Sequence, residues 1–162
     1  MTPKFVRALL KSMRPRQWFK NGFLFAALFF DRQLFNVPAL LQTLAGFLLF
    51  SLLSSAVYII NDLSDLEADR QHPTKRYRPL AAEELPVGLA QGAVVGLLGI
   101  IIPLSIWLSP AFAAIGLTYF ALNILNVPPV RHFKPIKRTA RKHLLPFWEY
   151  LRMAQFNAGR ID

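Results

Sequence analysis

The sequence has no cysteine and few acidic residues. Without cysteine, the chain has no disulfide framework, no thiolate metal site and no cysteine nucleophile. Nine Asp and Glu stand against nineteen Lys and Arg in 162 residues, which gives a formal net charge of +10. After Glu84 the only acids are Glu149 and Asp162. Any cluster of carboxylates must therefore lie in the first part of the chain.

Charge of either sign is missing from residues 33–61 and from residues 85–130. Uncharged, apolar runs of about 20 residues are typical of transmembrane helices. A net charge of +10 would favour nucleic-acid binding if the chain were soluble. Because 54% of the residues are hydrophobic, we predict a membrane protein and expect no nucleic-acid partner.

The apolar pattern predicts an all-α, multi-span transmembrane bundle of about four helices. Pro15 suits the first turn of the first helix. The basic residues before it are also compatible with a signal peptide, but no small-residue cleavage site follows the apolar run. The predicted spans are residues 14–35, 39–60, 87–108 and 111–125.

Small residues predict where these helices approach one another. Gly88, Gly92 and Gly96 have the spacing of close helix packing in membranes. Ser51, Ser54 and Ser55, in the second predicted span, are interpreted as packing residues and not as ligands, since hydroxyl and small side chains also allow close approach in lipid.

Lys and Arg predict the orientation of the spans. Residues 1–20 contain six of them, residues 61–86 four and residues 131–142 six, whereas Arg32 alone follows the first span and the turn at 109–110 has none. Connections rich in Lys and Arg stay on the cytoplasmic side. We therefore predict a multi-pass protein of the cell (inner) membrane, with both termini and the 61–86 loop in the cytoplasm.

An acidic block directly follows the second predicted span. In a helix, Asn61, Asp65 and Asp69 would lie at i, i+4 and i+8 and stack their oxygen atoms on one face. Asp62 would lie about 100° round the helix, near the edge of that face. Stacked carboxylates repel each other unless a cation lies between them. Mg²⁺ suits such a site, because it usually takes one or two carboxylates plus phosphate oxygens.

A basic block follows the acidic one. Lys75 and Arg78, together with Arg70 and Arg76, supply charges that neutralise and hold phosphate. We interpret residues 61–78 as a site for a magnesium-complexed phosphate or diphosphate. An ordinary solvated loop between two membrane helices is the alternative. The coincidence of an acidic block, a basic block and the membrane edge favours the site.

Two motifs resemble one known family. N-D-L-S-D-L-E-A-D-R, from Asn61 to Arg70, followed by H-P-T-K-R-Y-R-P-L-A, is similar to the first aspartate-rich motif of the UbiA superfamily of intramembrane prenyltransferases. R-P-R-Q-W-F-K-N, from Arg14 to Asn21, resembles the first-helix motif of its decaprenyl-phosphate phosphoribosyltransferase branch. The resemblance covers about residues 11–122 and implies the N-terminal half of a UbiA-type helix bundle.

The resemblance implies a membrane transferase with a diphosphate donor. The branch motif implies phosphoribosyl transfer from phosphoribosyl diphosphate to a polyprenyl (decaprenyl) phosphate, on the path to arabinan in the cell wall. Mg²⁺ is the implied cofactor, with Asn61, Asp65 and Asp69 as its ligands, and Asp65 and Asp69 are the implied catalytic residues. The residues implied to bind substrate are Lys20, Asn61, Asp62, Lys75 and Arg78.

Two alternatives stay open. One uses the same site for a prenyl diphosphate donor and an aromatic acceptor. The other is a truncated, non-catalytic membrane fragment that binds lipid, a partner helix or a second copy of itself. The family usually has nine transmembrane helices and a second aspartate-rich motif, and this sequence has no such motif.

The sequence changes character after Asn126. We expect residues 1–126 to form an incomplete UbiA-like domain and residues 127–162 to form a basic, aromatic-containing tail outside the family fold. A truncated or frame-shifted reading frame would give this change of character, and so would a divergent tail. Attraction to anionic lipid headgroups is the favoured role of this tail. Before it, Glu83 stands where the family tends to have Gly. That difference bears on the tightness of one turn and not on the site.

Overall fold

The computed structural model describes residues 3–125, and the predictions made for the tail at 127–162 lie outside this part. Within it every regular element is a helix and there is no strand, so the all-α prediction is confirmed. The helices are α1 (Pro3–Met13), a 3₁₀ helix (Pro15–Phe23), α2 (Leu24–Phe30), α3 (Val37–Ser64), α4 (Leu66–Gln71), a short 3₁₀ helix (Lys75–Tyr77), α5 (Val87–Leu108) and α6 (Pro110–Ile124).

The longest helix, α3, is the centre of the fold. It begins at Asn36, whose side-chain oxygen accepts a hydrogen bond from the Ala39 amide at 3.4 Å, and Pro38 occupies its first turn, where no backbone donor is needed. It packs against α1, α2, α5 and α6. Every other part of the described chain is therefore positioned relative to α3.

The C-terminal part of the described chain forms a pair of apolar helices. Helix α5 has the bounds predicted from the sequence, and Ser109 separates it from α6 while its hydroxyl accepts a hydrogen bond from the Phe112 amide at 3.4 Å. Helices α3 and α5 are long and apolar enough to cross a membrane by length and composition, whereas α6 has only 15 residues. Two of the four predicted spans thus meet this criterion among the described residues.

The prediction of one continuous first helix over residues 14–35 is wrong. The chain breaks at Arg14, which has left-handed backbone angles of φ 53° and ψ 58°, and continues as a nine-residue 3₁₀ helix before α2 begins. Pro15 explains the break, because a proline disfavours the right-handed helical conformation in the residue before it. A separate amphipathic helix, α1, precedes the break and was not predicted.

The predicted close approach at the α5 glycines is not made by any helix of the described part. A Cβ atom added at Gly88, Gly92 or Gly96 would meet no atom within 4 Å. Helix α5 instead buries a different face against the described part of the chain. The residues buried on that face are Ala90, Val94, Ile101 and Ser105.

The main core cluster lies at the charged end of the bundle. Ile59 of α3, Leu80 and Leu85 of the following turn, and Ala90 of α5 are all no more than 2% exposed. Met13 at the end of α1 packs in the same cluster. This core holds the turn at residues 79–85 against α1 and α3, and thereby fixes where the charged segment between α3 and α5 can lie.

Candidate functional site

The acidic segment continues the helical path of α3 with a short interruption. The amide of Asp65 donates to the Asn61 carbonyl at 2.9 Å, and the amide of Asp69 donates to the Asp65 carbonyl at 2.8 Å. Helical hydrogen bonding therefore passes through the junction between α3 and α4. Asp62 and Asp69 are seven residues apart, which is about two turns, so they lie on the same side of this path.

Asp62 and Asp69 are joined by one arginine. The Nη1 atom of Arg78 lies 3.1 Å from Asp62 Oδ1 and 2.6 Å from Asp69 Oδ2. The Nη2 atom of Arg14 donates to the same Asp62 oxygen at 2.6 Å. Lys75 Nζ lies 3.7 Å from Asp69 Oδ1. The result is a continuous chain of ion pairs. Its residues come from the end of α1, from α3, from α4 and from the segment between α4 and α5.

The burial of the two acids explains why they need these partners. Asp62 and Asp69 are each 2% exposed, and a buried carboxylate is tolerated only when it is paired and hydrogen-bonded. Three cations, from Arg14, Lys75 and Arg78, face two carboxylates. The cluster therefore carries an excess of positive charge, and its cations keep partial access to solvent. Such a cluster is suited to receive a polyanion.

The predicted site residues fall into two groups. The structure brings Asp62, Asp69, Lys75 and Arg78 together in the ion-pair chain. The side chains of the other three make no hydrogen bond or ion pair with any residue in the described range 3–125. Asn61 and Asp65 are half-buried, and Lys20 is exposed in the 3₁₀ helix.

The backbone places Asn61, Asp65 and Asp69 one helical turn apart, which is the spacing on which the predicted oxygen face depends. Among residues 3–125 no group of three or more His, Cys, Asp or Glu side chains is arranged to hold a metal ion. Mg²⁺ needs only one or two protein carboxylates when phosphate supplies further oxygens, so the donor atoms still fit this ion. Both oxygens of Asp69 are already contacted by Arg78 and Lys75, so a metal on Asp69 requires these cations to turn toward the ligand.

Arg14 is the contributor that sequence reasoning missed. Its guanidinium bonds Asp62 and also lies over the Tyr58 ring, 5.0 Å from the ring centroid. The left-handed backbone at Arg14 turns the chain at the end of α1 and directs this side chain toward α3. The Arg-Pro pair at Arg14 and Pro15 was the available signal, because it predicts a break in the helix at that position.

Polar side chains fasten the segment after Arg14 to α3. Trp18 Nε1 donates to the Ser55 hydroxyl at 3.1 Å, and Asn21 Nδ2 donates to the Ser51 hydroxyl at 3.0 Å. The Ser55 hydroxyl also lies 3.0 Å from the Met13 carbonyl oxygen. Both serines are fully buried, in agreement with their interpretation as packing residues. These bonds hold Arg14 within reach of Asp62.

Glu83 supports the turn on the other side of the site. It has a left-handed φ of 60°, the conformation for which glycine is the usual residue. Its carboxylate accepts a hydrogen bond from Arg70 Nη2 at 3.0 Å, and Arg70 Nη1 contacts Glu67 at 3.1 Å. The turn forms with glutamate, and this exposed ion pair links it to α4.

Several known proteins are similar to this chain in sequence. A decaprenyl-phosphate phosphoribosyltransferase of Corynebacterium glutamicum is 40% identical over 120 residues, which cover 72% of this chain and 36% of that protein. One from Mycobacterium tuberculosis is 39% identical over 132 residues, or 78% of this chain and 43% of that protein. Nodulation protein NoeC of Azorhizobium caulinodans is 32% identical over 126 residues, covering 75% of this chain and 39% of that protein.

The chain spans roughly two fifths of the length of the curated relatives it matches. A model of the UbiA prenyltransferase family matches residues 22–139, which is more than half of the chain. The match contains the acidic and basic blocks and both membrane-length helices. Together with the relatives named decaprenyl-phosphate phosphoribosyltransferase, it confirms the resemblance inferred from the sequence. The chain belongs to the UbiA prenyltransferase family.

Proposed function

We propose that this chain contributes the donor site of a membrane transferase that moves a phosphoribosyl group from phosphoribosyl diphosphate to a polyprenyl phosphate. The observation that carries the proposal is the ion-pair chain at the end of α3, where Arg78 joins Asp62 to Asp69. The proposal draws its donor and acceptor from the relatives named decaprenyl-phosphate phosphoribosyltransferase. Decaprenyl phosphate is the acceptor, and arabinan precursor synthesis in the cell wall is the setting.

The cations of the site bind the donor's phosphates. When Lys75 and Arg78 exchange their contacts to Asp69 for contacts to phosphate oxygens, the Asp69 carboxylate becomes available to another ligand. Lys20, in the 3₁₀ helix Pro15–Phe23, adds a further positive charge. Asp62 holds Arg14 and Arg78 in place, which orients the two guanidinium groups before the donor arrives. Preorganised charge of this kind stabilises the negative charge that develops on the departing pyrophosphate.

Asn61, Asp65 and Asp69 would hold Mg²⁺, since all three offer oxygen ligands along one helical path. When bound, the ion neutralises charge on the leaving pyrophosphate. Carboxylates beside the ribosyl carbon stabilise the positive charge that grows there as the bond to pyrophosphate breaks. The two membrane-length helices and the family support a membrane location, and we place the site on the cytoplasmic side of the inner membrane.

Metal-dependent donor binding tests the site. Asp65→Ala and Asp69→Ala should abolish the Mg²⁺-dependent binding of phosphoribosyl diphosphate to detergent-solubilised protein, as measured by calorimetry. Asp31→Ala should leave binding unchanged, because Asp31 is exposed before α3 and lies outside the charged segment. Equal loss in all three variants would indicate a common folding defect and contradict the site assignment.

Donor preference tests the reaction class. If the motif from Arg14 to Asn21 carries the branch assignment, the protein should bind phosphoribosyl diphosphate in preference to geranyl diphosphate in the same calorimeter. The reverse order would favour a prenyl diphosphate donor and an aromatic acceptor, which is a prenyl transfer as in the family's name.

Turnover by the 162-residue chain tests its completeness. Transfer requires the acceptor to be held against the reacting carbon while the pyrophosphate is neutralised, and in the family the second aspartate-rich motif completes the metal site. We expect donor binding without transfer of labelled ribose phosphate to decaprenyl phosphate. Robust turnover by purified, sequence-verified protein would show that one motif suffices or that two copies assemble one site.

A further inference from the structure

Helix α1 presents three different faces. Its core face buries Ala8 and Met13 against the rest of the bundle, at 4% and 8% exposure. A second face leaves Val6 and Leu10 at 43% and 50% exposure, one turn apart. A third face is basic and exposed. The basic face consists of Lys4, Arg7 and Lys11.

The basic face of α1 lines a cavity of about 580 Å³. The opposite wall is the turn before α5, with Glu83 and Glu84, and Phe5 adds an apolar surface. The cavity contains no residue of the ion-pair chain that joins Asp62 to Asp69, so it is separate from the candidate donor site.

Some of the charged residues around the cavity form ion pairs and others do not. Glu84 lies 3.5 Å from Lys11 Nζ, and Glu83 is bonded to Arg70 outside the cavity. Lys4 and Arg7 form no ion pair with any residue between 3 and 125. They are three residues apart on a helix and therefore neighbours on its surface. Two adjacent cations without partners are a suitable pair of donors for one phosphate group.

We propose that this cavity binds the phosphate headgroup of a membrane lipid. Lys4 and Arg7 hold the phosphate, and the exposed apolar face with Val6 and Leu10 lies against the hydrocarbon of the same lipid. The two glutamates in the wall disfavour a free phosphate ion, which has only its charge to offer. A lipid binds through two contacts, its phosphate with the cations and its hydrocarbon with the apolar face. The site therefore binds a phosphate on a lipid in preference to a free phosphate ion.

Native mass spectrometry of the full chain in mild detergent tests the proposal. The protein is incubated separately with phosphatidylglycerol, a polyprenyl phosphate or phosphatidylcholine, and the fraction that retains one lipid is measured. One of the two anionic lipids should be retained in preference to phosphatidylcholine, and the preferred one identifies the source of the phosphate. Equal retention of all three lipids, or displacement by inorganic phosphate at equal concentration, would overturn the proposal.

Two pairs of variants localise the binding. Arg7→Gln should lower retention of the anionic lipid about fivefold, the factor that one basic residue near a membrane surface contributes. Arg16→Gln removes the same charge from another exposed arginine and should have little effect. Glu84→Gln should raise retention, because it removes a negative charge from the cavity wall and the ion-pair partner of Lys11, whereas Glu67→Gln should not. Equal effects within either pair would contradict the site. Because all four residues are exposed, circular dichroism should show the same fold throughout.

Discussion

Helices α3 and α5 are alike in sequence character and unlike in their surroundings. Their most apolar stretches have mean hydropathies of 2.0 and 2.1, and both are long enough to cross a membrane. The structure buries 44% of that stretch in α3 but only 17% in α5. Hydropathy thus identifies a helix that is long and apolar enough to cross a membrane, but it does not say whether that helix lies at the centre of a bundle or on its outside.

The two helices also differ in the contacts that their polar and small residues make. Helix α3 contains the buried Ser51, Ser55 and Asp62, each bonded to a residue from the first 25 positions or the charged loop. Helix α5 contains glycines that approach no atom of the described part. Substitutions of these α3 residues should therefore be costly, while substitutions of the α5 glycines should be nearly silent.

The largest effect is expected at Asp62. Asp62→Ala leaves the guanidinium groups of Arg14 and Arg78 without their shared carboxylate. We expect the free energy of unfolding to fall by about 2 kcal/mol, below the roughly 3–5 kcal/mol for breaking a fully buried pair, because both arginines keep access to solvent. Denaturation in mixed detergent micelles measures it, with Asp31→Ala as the control. A loss no larger than that of the control would show that the ion-pair chain contributes nothing to stability.

A smaller loss is expected at Ser55. Ser55→Ala removes the acceptor of the Trp18 indole N–H and a partner of the Met13 carbonyl, both in a buried site. We expect a loss of about 1–2 kcal/mol, the range for leaving a buried polar group unsatisfied. Thr118→Ala is the control, because its exposed hydroxyl bonds only the Ala114 carbonyl of its own helix. Equal changes in the two variants would contradict the role of Ser55 in fastening the N-terminal segment.

Glu83→Gly should stabilise the protein slightly. Glycine relieves the left-handed conformation at this position, a gain of about 1 kcal/mol. The exposed ion pair with Arg70 is lost, which costs at most about 1 kcal/mol and typically less. The net rise in melting temperature should therefore be small and should increase as salt screens the ion pair of the wild-type protein, and Glu83→Ala should lower the melting temperature. A lower melting temperature for Glu83→Gly would show that the ion pair outweighs the backbone strain.

The smallest effect is expected at the α5 glycines. Gly96→Ala should change the free energy of unfolding by less than about 0.5 kcal/mol, or stabilise it, because alanine is the better helix former and the space is open. Gly116→Ala should be less favourable, since its Cβ would lie 3.3 Å from Leu53 Cδ2. Marked destabilisation by Gly96→Ala would show that another helix or a second copy packs on this face of α5.

Local patterns were enough for the boundaries of the three apolar helices α3, α5 and α6. The charge-free runs and the turn at Ser109 and Pro110 gave α5 its bounds and α3 and α6 within a few residues. Local chemistry explains this success, because caps and prolines act on their own backbone neighbours. The single break at Arg14 was misjudged although the signal was local, since Pro15 was interpreted as starting a helix rather than as ending the one before it.

The sequence by itself determined the family, the all-helical class and the segment that contains the candidate site. Only the tertiary structure decided which charges meet. Asp62 receives Arg14 from 48 residues away and Arg78 from 16 residues further along, so its partners depend on how α1 and the 79–85 turn pack on α3. Helical spacing placed Asp65 beside Asp69, yet burial paired Asp69 with Asp62 through Arg78. A buried carboxylate must find a cation wherever the packed chain supplies one, and no local periodicity contains that information.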